Sequence, residues 1–281
     1  MDLEYSMDYL KAETKYIRGE KELYAYREIG PDGGIPLLML PHLSATMDNW
    51  DARLLNPIAK LRKIIVFDNQ GVGASTGKVQ KSIQAMARGV SDFVQALNIK
   101  HFDLLGLSMG GFIAQEYIAI SPEKVRKLIL AGTGPRGGVG ISKVARVTYQ
   151  DMIRSVIHRT DPKRFLFFNH DEEGKKYADD FLHSLKQRKE NVDLPIKLSS
   201  FRAQLKAIKK WGNEVPSDLS QIQQHTLIIN GDNDRMVPTQ NSFDLSKKIP
   251  NKHLKIYSNA GHGSIFQFPN EASELINDFL V

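Results

Sequence analysis

A serine between two glycines is the feature of the sequence with the clearest chemical meaning. Residues 106–110 read Gly-Leu-Ser-Met-Gly and fit the pattern G-x-S-x-G, with an apolar run before them and a helical pattern after them. A serine on a sharp turn between a strand and a helix projects its hydroxyl, and bulky side chains two residues away on either side would clash. The spacing therefore predicts that Ser108 is a nucleophile and that the N–H of Met109, at the amino end of the helix, stabilises an oxyanion.

A serine hydroxyl is a weak nucleophile, so it needs a base and a third group that holds the base. Among the eight histidines, only His262 lies in a loop of small residues between a late strand and the last helix, where glycines let the imidazole come close. Asp232 and Asp234 follow the strand pattern of Thr226–Asn230, and both are candidates for the acid. The residues alone leave that choice open, because Asp232 could instead cap the turn.

Short apolar runs alternate with amphipathic stretches along most of the chain. Continuous apolar strands separated by helices, such as the helical pattern of Ser82–Leu97, are typical of a parallel sheet that is covered on both faces. The patterns of Glu13–Arg18 and Glu22–Ile29 alternate and predict an antiparallel hairpin at the sheet's edge. The predicted strands of the α/β sheet are residues 37–40, 63–67, 102–107, 125–131, 226–230 and 254–257.

The segment 134–215 differs from the rest in pattern and in charge. It carries three helical patterns and no strand pattern, and the third helix is predicted to begin near Pro195 and to end at Gly212. Between Pro135 and Val215 there are 17 basic and 10 acidic residues, a net charge of +7, whereas the whole chain carries +6. We predict a helical cap at 134–215, inserted into a core formed by 1–133 and 216–281. Ligands of open parallel sheets bind beyond the carboxyl ends of the strands, so the cap is expected to cover the site.

Five blocks of the sequence together resemble the α/β-hydrolase fold superfamily over nearly the whole chain. They are residues 40–51, 68–75, 106–111, 231–238 and 259–262. The resemblance implies that fold, mostly parallel and flanked by helices, with the catalytic order Ser108, Asp234, His262. It places the acid at Asp234 and not at Asp232, and it makes the N–H of Leu43 the second oxyanion donor.

Two positions depart from the superfamily's usual pattern. Pro41-His42 stands where the superfamily usually has His-Gly, so His42 must adopt the conformation of the oxyanion loop and either shapes it or faces the substrate. Gln70 replaces the usual arginine of the glycine turn, where we expect an altered loop contact and no new activity.

Further side chains are candidates for the substrate pocket. Arg136 follows a strand end and could face an anionic group or solvent. The run Phe165-Leu166-Phe167-Phe168 in the predicted cap could line an acyl pocket, with Phe165 and Phe168 as the candidates, or could bury the cap against the core. Residues 132–137 match G-x-G-x-x-G, but Pro135 opposes the helix that a dinucleotide site requires there. The sequence has no cysteine, and residues 170–172 (His-Asp-Glu) lack the spacing of a metal site. We therefore expect no cofactor and no metal.

The sequence predicts a serine hydrolase that cleaves a small, fairly apolar carboxylic ester or related acyl compound. Cofactor-free haloperoxidases (perhydrolases), enol-lactonases and carbon–carbon bond hydrolases share the same residues and remain alternatives. A small-ligand receptor that signals to a partner protein is an alternative of another class.

The composition sets expectations for partners and location. Basic residues in the segment 134–215 are interleaved with acidic ones, so we expect no nucleic-acid partner. No apolar run is long enough to cross a bilayer, and residues 1–8 lack a signal-peptide pattern, so we expect no membrane partner and a cytoplasmic location. The expected partner is a small-molecule substrate, and the expected assembly is a monomer or a homodimer.

Overall fold

The computed structural model describes residues 8–281 as an eight-stranded sheet with helices on both faces. The strands are β1 (Lys15–Arg18), β2 (Leu23–Ile29), β3 (Leu37–Leu40), β4 (Ile64–Phe67), β5 (Phe102–Leu107), β6 (Val125–Ala131), β7 (His225–Gly231) and β8 (Lys252–Tyr257). The α helices are α1 (Ala52–Ala59), α2 (Ile83–Ala96), α3 (Met109–Ile120), α4 (Val144–Ile157), α5 (Lys163–Phe167), α6 (Glu172–Leu185), α7 (Leu198–Asn213), α8 (Gln240–Lys248), α9 (Ser264–Gln267) and α10 (Pro269–Phe279).

The strand order across the sheet is β1-β2-β4-β3-β5-β6-β7-β8. β1 pairs with β2 and β2 with β4 in antiparallel fashion, and all other pairs are parallel. The predictions of an α/β fold, a mostly parallel sheet and an antiparallel hairpin at its edge are confirmed. Because β3 and β5–β8 run in one direction, the loops after them meet at one edge of the sheet.

Alternate residues of the central strands supply two cores. Leu38 and Leu40 belong to the core that α2 and α3 cover, whereas Leu37 and Met39 belong to the opposite core, which α1 and α10 cover. All four residues of β3 are buried, which explains why the strand is a continuous apolar run and not an alternating one. Because helices cover both faces of the sheet, a ligand can reach the strands only at their ends.

Residues 132–224, all within the described part of the chain, contain helices α4–α7 and no strand. We call residues 134–215 the cap; that they form a domain with these boundaries stays a prediction. The third predicted cap helix begins later than expected: α7 starts at Leu198, because Lys197 is still extended (φ −69°, ψ 142°). The short helix α5 was not predicted, since its five residues are too few to show a helical period.

Candidate active site

Ser108 lies on a strained turn between β5 and α3. Its backbone has φ +56° and ψ −117°, a conformation that residues other than glycine rarely adopt. Its N–H donates to the carbonyl of Ala131 at 2.8 Å, and its own carbonyl accepts from the Thr133 hydroxyl at 2.8 Å. Hydrogen bonds to the neighbouring strand end thus hold a backbone that would otherwise relax.

The glycines around Ser108 are required by the close approach of backbone and side-chain atoms. A Cβ on Gly106 would lie 2.5 Å from the carbonyl oxygen of Gly110, and a Cβ on Gly110 would lie 2.1 Å from that of Leu40. At Gly111 the obstacle is the side chain of Thr133, 2.5 Å away. The steric argument made from the sequence therefore applies at all three positions.

The imidazole of His262 lies between the hydroxyl of Ser108 and the carboxylate of Asp234. Its Nε2 is 2.9 Å from the Ser108 Oγ, and its Nδ1 is 2.8 Å from an Asp234 oxygen. All three residues are buried. With a neutral ring, Nδ1–H donates to the carboxylate and Nε2 accepts the serine proton, which is the arrangement that base-assisted attack requires.

Asp232 and Asp234 hold different parts of the histidine loop. One oxygen of Asp234 contacts His262, and the other accepts from the N–H groups of Met236 (2.8 Å) and Val237 (2.9 Å). Asp232 accepts from the N–H groups of Asn259 (3.0 Å) and Ala260 (3.1 Å), just before the histidine. The choice of Asp234 over Asp232 that the resemblance implied agrees with this geometry.

The two predicted oxyanion donors lie on adjacent segments. Met109 is the first residue of α3, so its N–H has no carbonyl partner within the helix. Leu43 follows β3 and lines the same cavity as Ser108. The next residue, Ser44, has φ +61° and donates its N–H to the side chain of Gln204, a residue of the cap. The cap therefore helps to fix the loop that carries Leu43.

His42 is buried beside the site as a neutral ring. Its Nδ1 lies 2.8 Å from the carbonyl oxygen of Leu43, so Nδ1 carries the proton and Nε2 carries the lone pair. Burial, with smaller contributions from Lys163 and His262, lowers the pKa of His42 to about 3, although the hydrogen bond to the Leu43 carbonyl acts in the opposite direction. Its Nε2 has no hydrogen-bond partner among the described residues. His42 thus both shapes the loop and lines the cavity.

A cavity of about 280 Å³ opens onto Ser108 and His262. Its wall is mostly apolar, and among the lining residues that the structure describes, Lys163 is the only side chain with a formal charge. The ammonium of Lys163 is 3.5 Å from each carboxylate oxygen of Asp161, a loose contact. The cap residues in the wall are Thr148, Met152, Pro162, Lys163, Leu166, Phe167, Ile196, Leu198 and Phe201.

Three predicted pocket residues do not line this cavity. Arg136 lies 3.7 Å from Glu116 and stacks over the Trp211 ring. Phe165 contacts the His158 and His170 rings, and Phe168 packs on Phe167 and Phe181. Arg136 pairs within the protein; Phe165 lies on the side of α5 away from the cavity, and Phe168 follows α5 with an extended backbone (φ −121°, ψ 159°).

Phe167 belongs to the apolar run 165–168 that the sequence suggested for the pocket, but it was not among the selected candidates, and neither were other lining residues such as Lys163 and Phe201. The Phe167 ring meets those of His42 (4.9 Å between centroids) and His262 (5.6 Å), and its carbonyl accepts the N–H of Gly263. Lys163, Leu166 and Phe167 have the spacing i, i+3, i+4, so they share one face of α5. Recognising that short helix would have selected Lys163, Leu166 and Phe167 over Phe165.

Other kinds of site receive no support from residues 8–281. Within that range, no group of three or more His, Asp or Glu side chains is arranged to hold a metal ion. In the glycine turn of residues 68–75, the side chain of Gln70 donates a hydrogen bond to Glu22 at 3.1 Å, which is the altered loop contact. None of the described helices combines the length and the apolar character needed to cross a bilayer.

Comparison with known proteins identifies the family. The model of the alpha/beta hydrolase fold family matches residues 35–269, so the chain belongs to that family. The predicted resemblance is confirmed, and the chain is an enzyme of the hydrolase class.

Individual relatives agree with this assignment. A solved alpha/beta hydrolase fold protein from Chitinophaga pinensis is 35% identical, with a TM-score of 0.92 over 97% of this chain and 98% of its own. A 2-hydroxy-6-oxononadienedioate/2-hydroxy-6-oxononatrienedioate hydrolase of Pseudomonas putida is 26% identical over 273 residues, 93% of each chain. A bromoperoxidase from Bacillus anthracis (TM-score 0.76, 17% identical, 95% of this chain and 99% of its own) shares the fold.

Proposed function

We propose that the protein is a serine hydrolase that cleaves a small, fairly apolar carboxylic ester through an acyl-enzyme. The observation that carries the proposal is the continuous hydrogen-bond chain from Asp234 through His262 to Ser108, at the wall of a largely apolar cavity. We also propose the N–H groups of Leu43 and Met109 as the oxyanion hole.

In the acylation half of the reaction, the Ser108 oxygen attacks the ester carbonyl while His262 Nε2 takes the hydroxyl proton. The carbonyl oxygen becomes an oxyanion, which the two N–H groups stabilise; loss of one such donor costs about 3–4 kcal/mol in other enzymes. Collapse of the tetrahedral intermediate breaks the bond to the leaving oxygen, which receives the proton from His262 and departs as an alcohol. Asp234 keeps the imidazole in the reactive tautomer and stabilises its cation.

Deacylation repeats these steps with water as the nucleophile. His262 takes a proton from water, the hydroxide attacks the acyl carbonyl, and the proton returns to the Ser108 oxygen as the carboxylic acid leaves. Residues Leu166, Phe167 and Phe201 make the acyl side of the cavity apolar. A volume of about 280 Å³ favours short acyl groups over long ones.

A chromogenic ester series of increasing acyl length tests this function. We expect kcat/KM to peak at short chains, and we expect Ser108→Ala to abolish both ester cleavage and labelling by a fluorophosphonate probe. Ser199→Ala, which changes an exposed serine, is the matched control and should leave both intact. Unchanged labelling of the Ser108→Ala variant would refute the proposed nucleophile.

A carbon–carbon bond hydrolase is the second candidate, and two observations favour it. The Pseudomonas putida relative covers 93% of this chain, and its substrate names end in "dioate", the ending of a doubly charged acid. Lys163 supplies one cation in the cavity wall that could pair with such an acid.

A comparison of acidic diketones with neutral esters separates the two candidates. If the enzyme cleaves the diketones faster and Lys163→Met removes that advantage while ester cleavage persists, the second candidate replaces the first. Equal or slower turnover of the diketones keeps the esterase.

A further inference from the structure

The outer side of α4 exposes large apolar side chains to solvent. Tyr149, Ile153, Val156 and Ile157 are 45%, 64%, 77% and 72% exposed. Their spacing of i, i+4, i+7 and i+8 places them on one face of the helix. We call this surface the outer face of α4. Single exposed apolar residues are ordinary, but a contiguous exposed group on one helix marks an interaction site.

The outer face of α4 lies beside the entrance of the cavity. Thr148 and Met152, on the adjoining flank of the same helix, line the cavity. Leu198, at the start of α7, lines the cavity and is 58% exposed, so the cavity reaches the surface there. The Tyr149 ring meets the Phe201 ring of the cavity wall at 6.1 Å. Apolar surface therefore continues from the helix to the entrance.

Basic residues lie on the exposed sides of the two helices, α4 and α7, that carry this apolar surface. α7 carries four basic residues and no acidic one: Arg202, Lys206, Lys209 and Lys210, all exposed. Arg146 is exposed and lies seven residues before Ile153, which places it on the same face of α4. The single acidic residue of α4, Asp151, is buried and pairs with Arg154 and Arg235.

We propose that the outer face of α4 and the start of α7 dock on an anionic lipid surface. Apolar side chains with a tyrosine at their edge and basic residues around them match the boundary between acyl chains and acidic headgroups. Such docking requires no spanning helix, and it places the cavity entrance against the lipid. A second copy of the chain fits less well, because pairing of this face with itself would bring the basic residues of two α7 helices together.

Binding to vesicles tests the proposal without any turnover, so the result does not depend on the proposed function. The full chain is sedimented with vesicles of phosphatidylcholine alone or with 30% phosphatidylglycerol, at 50 mM and 500 mM NaCl. We expect binding to the anionic vesicles at low salt, with at least tenfold weaker binding at high salt or without phosphatidylglycerol.

Substitutions then locate the binding surface. We expect the double variant Ile153→Glu/Val156→Glu to lose at least tenfold in vesicle binding, and Arg202→Gln/Lys209→Gln to lose part of the salt dependence. Leu61→Glu is the matched control. Leu61 is 66% exposed and lies just after α1, outside the cap. Thermal melting of each variant shows that it is folded, as expected for changes at exposed positions.

Three results would overturn the proposal. The wild-type chain could fail to bind anionic vesicles, or the Leu61→Glu control could lose as much binding as the α4 variant. Analytical ultracentrifugation without lipid could also show a dimer that Ile153→Glu/Val156→Glu dissociates, which would make the outer face of α4 an interface between two copies.

Discussion

At the scale of single residues, Asp232 and Asp234 are separated by one position and yet bind different groups of the histidine loop. Asp234 contacts the ring of His262, whereas Asp232 holds the backbone that leads to it. Removing the carboxylate of Asp234 should change the orientation of the proposed base. Removing the carboxylate of Asp232 should lower the stability of the loop before it. The two aspartates can therefore be told apart by experiment.

We expect Asp234→Asn to lower kcat by about 10⁴-fold with little change in the free energy of unfolding, because the amide favours the wrong tautomer of the imidazole. Asp232→Asn should instead cost about 1–2 kcal/mol of unfolding free energy and leave kcat nearly unchanged, since one of two backbone hydrogen bonds to a charged acceptor is lost. Steady-state kinetics and urea unfolding of both variants measure this contrast. Equal losses of kcat would contradict the separate roles.

His42 makes stability depend on pH. Its pKa is about 3 in the folded chain, because the ring is buried, and about 6.5 when unfolded. Between these values the unfolded chain binds the extra proton, so the stability contribution is complete above pH 6.5 and is lost as the pH falls. At pH 5 the loss is about 2 kcal/mol.

The check is urea unfolding of wild type and His42→Gln at pH 7.5 and pH 5.0. The wild-type chain should lose more stability than the variant between the two pH values. An equal loss in both proteins would show that His42 does not titrate in this way.

At the scale of elements, two glycines of neighbouring helices predict opposite effects of the same substitution. A Cβ on Gly110 in α3 would meet the backbone of Leu40 at 2.1 Å, whereas a Cβ on Gly89 in α2 would find only side-chain tips at 3.7 and 3.8 Å. Gly89→Ala should raise the free energy of unfolding by about 0.5–1 kcal/mol. Gly110→Ala should lower it by about 1–3 kcal/mol and abolish activity. Denaturant unfolding compares the two, and a stable, active Gly110→Ala enzyme would contradict the steric argument.

Apolar strands and long helices could be predicted from the sequence, and short helices could not. The apolar run Phe102–Leu107 and the helical pattern from Met109 predicted the turn at Ser108. Such a turn can be recognised from neighbouring residues alone, because glycines flank it and the hydrophobic period changes there. α1, with eight residues, and α5, with five, show too little period to be recognised. Without α5, the run 165–168 could not be divided into two sides, and its cavity-lining members are Leu166 and Phe167, not the candidates Phe165 and Phe168.

At the scale of the whole molecule, Arg27 joins parts of the chain that are distant in sequence. Its guanidinium is fully buried and contacts Asp48 after β3, Asp193 in the cap and the carbonyl of Asn191. Arg27 lies on the buried side of β2 together with Ala25 and Ile29. The alternation of the strand therefore marks Arg27 as a charged residue at a buried position. Its partners could not be predicted, because they lie 21 and 166 positions away.

We expect Arg27→Met to cost about 3–5 kcal/mol of unfolding free energy, because Asp193 is then buried without its partner. Adding Asp193→Asn should restore part of the loss by removing the unpaired charge. Arg18→Met, in the exposed edge strand β1, is the control and should change little. Urea unfolding measures all three, and a cost for Arg27→Met no larger than that of the control would exclude the network as a support of the cap.

The long separation in sequence between Ser108 and His262 has a consequence for biosynthesis. Ser108 and His262 are 154 positions apart, and β8 pairs only with β7 in the described sheet. Translation delivers the amino-terminal strands first, and long-range parallel pairing forms slowly. A ribosome-bound polypeptide that stops before residue 262 contains Ser108 but lacks the imidazole of His262. If His262 is the base that we propose, the nascent protein cannot cleave an ester until β8 and the loop after it have been synthesised and have joined the sheet.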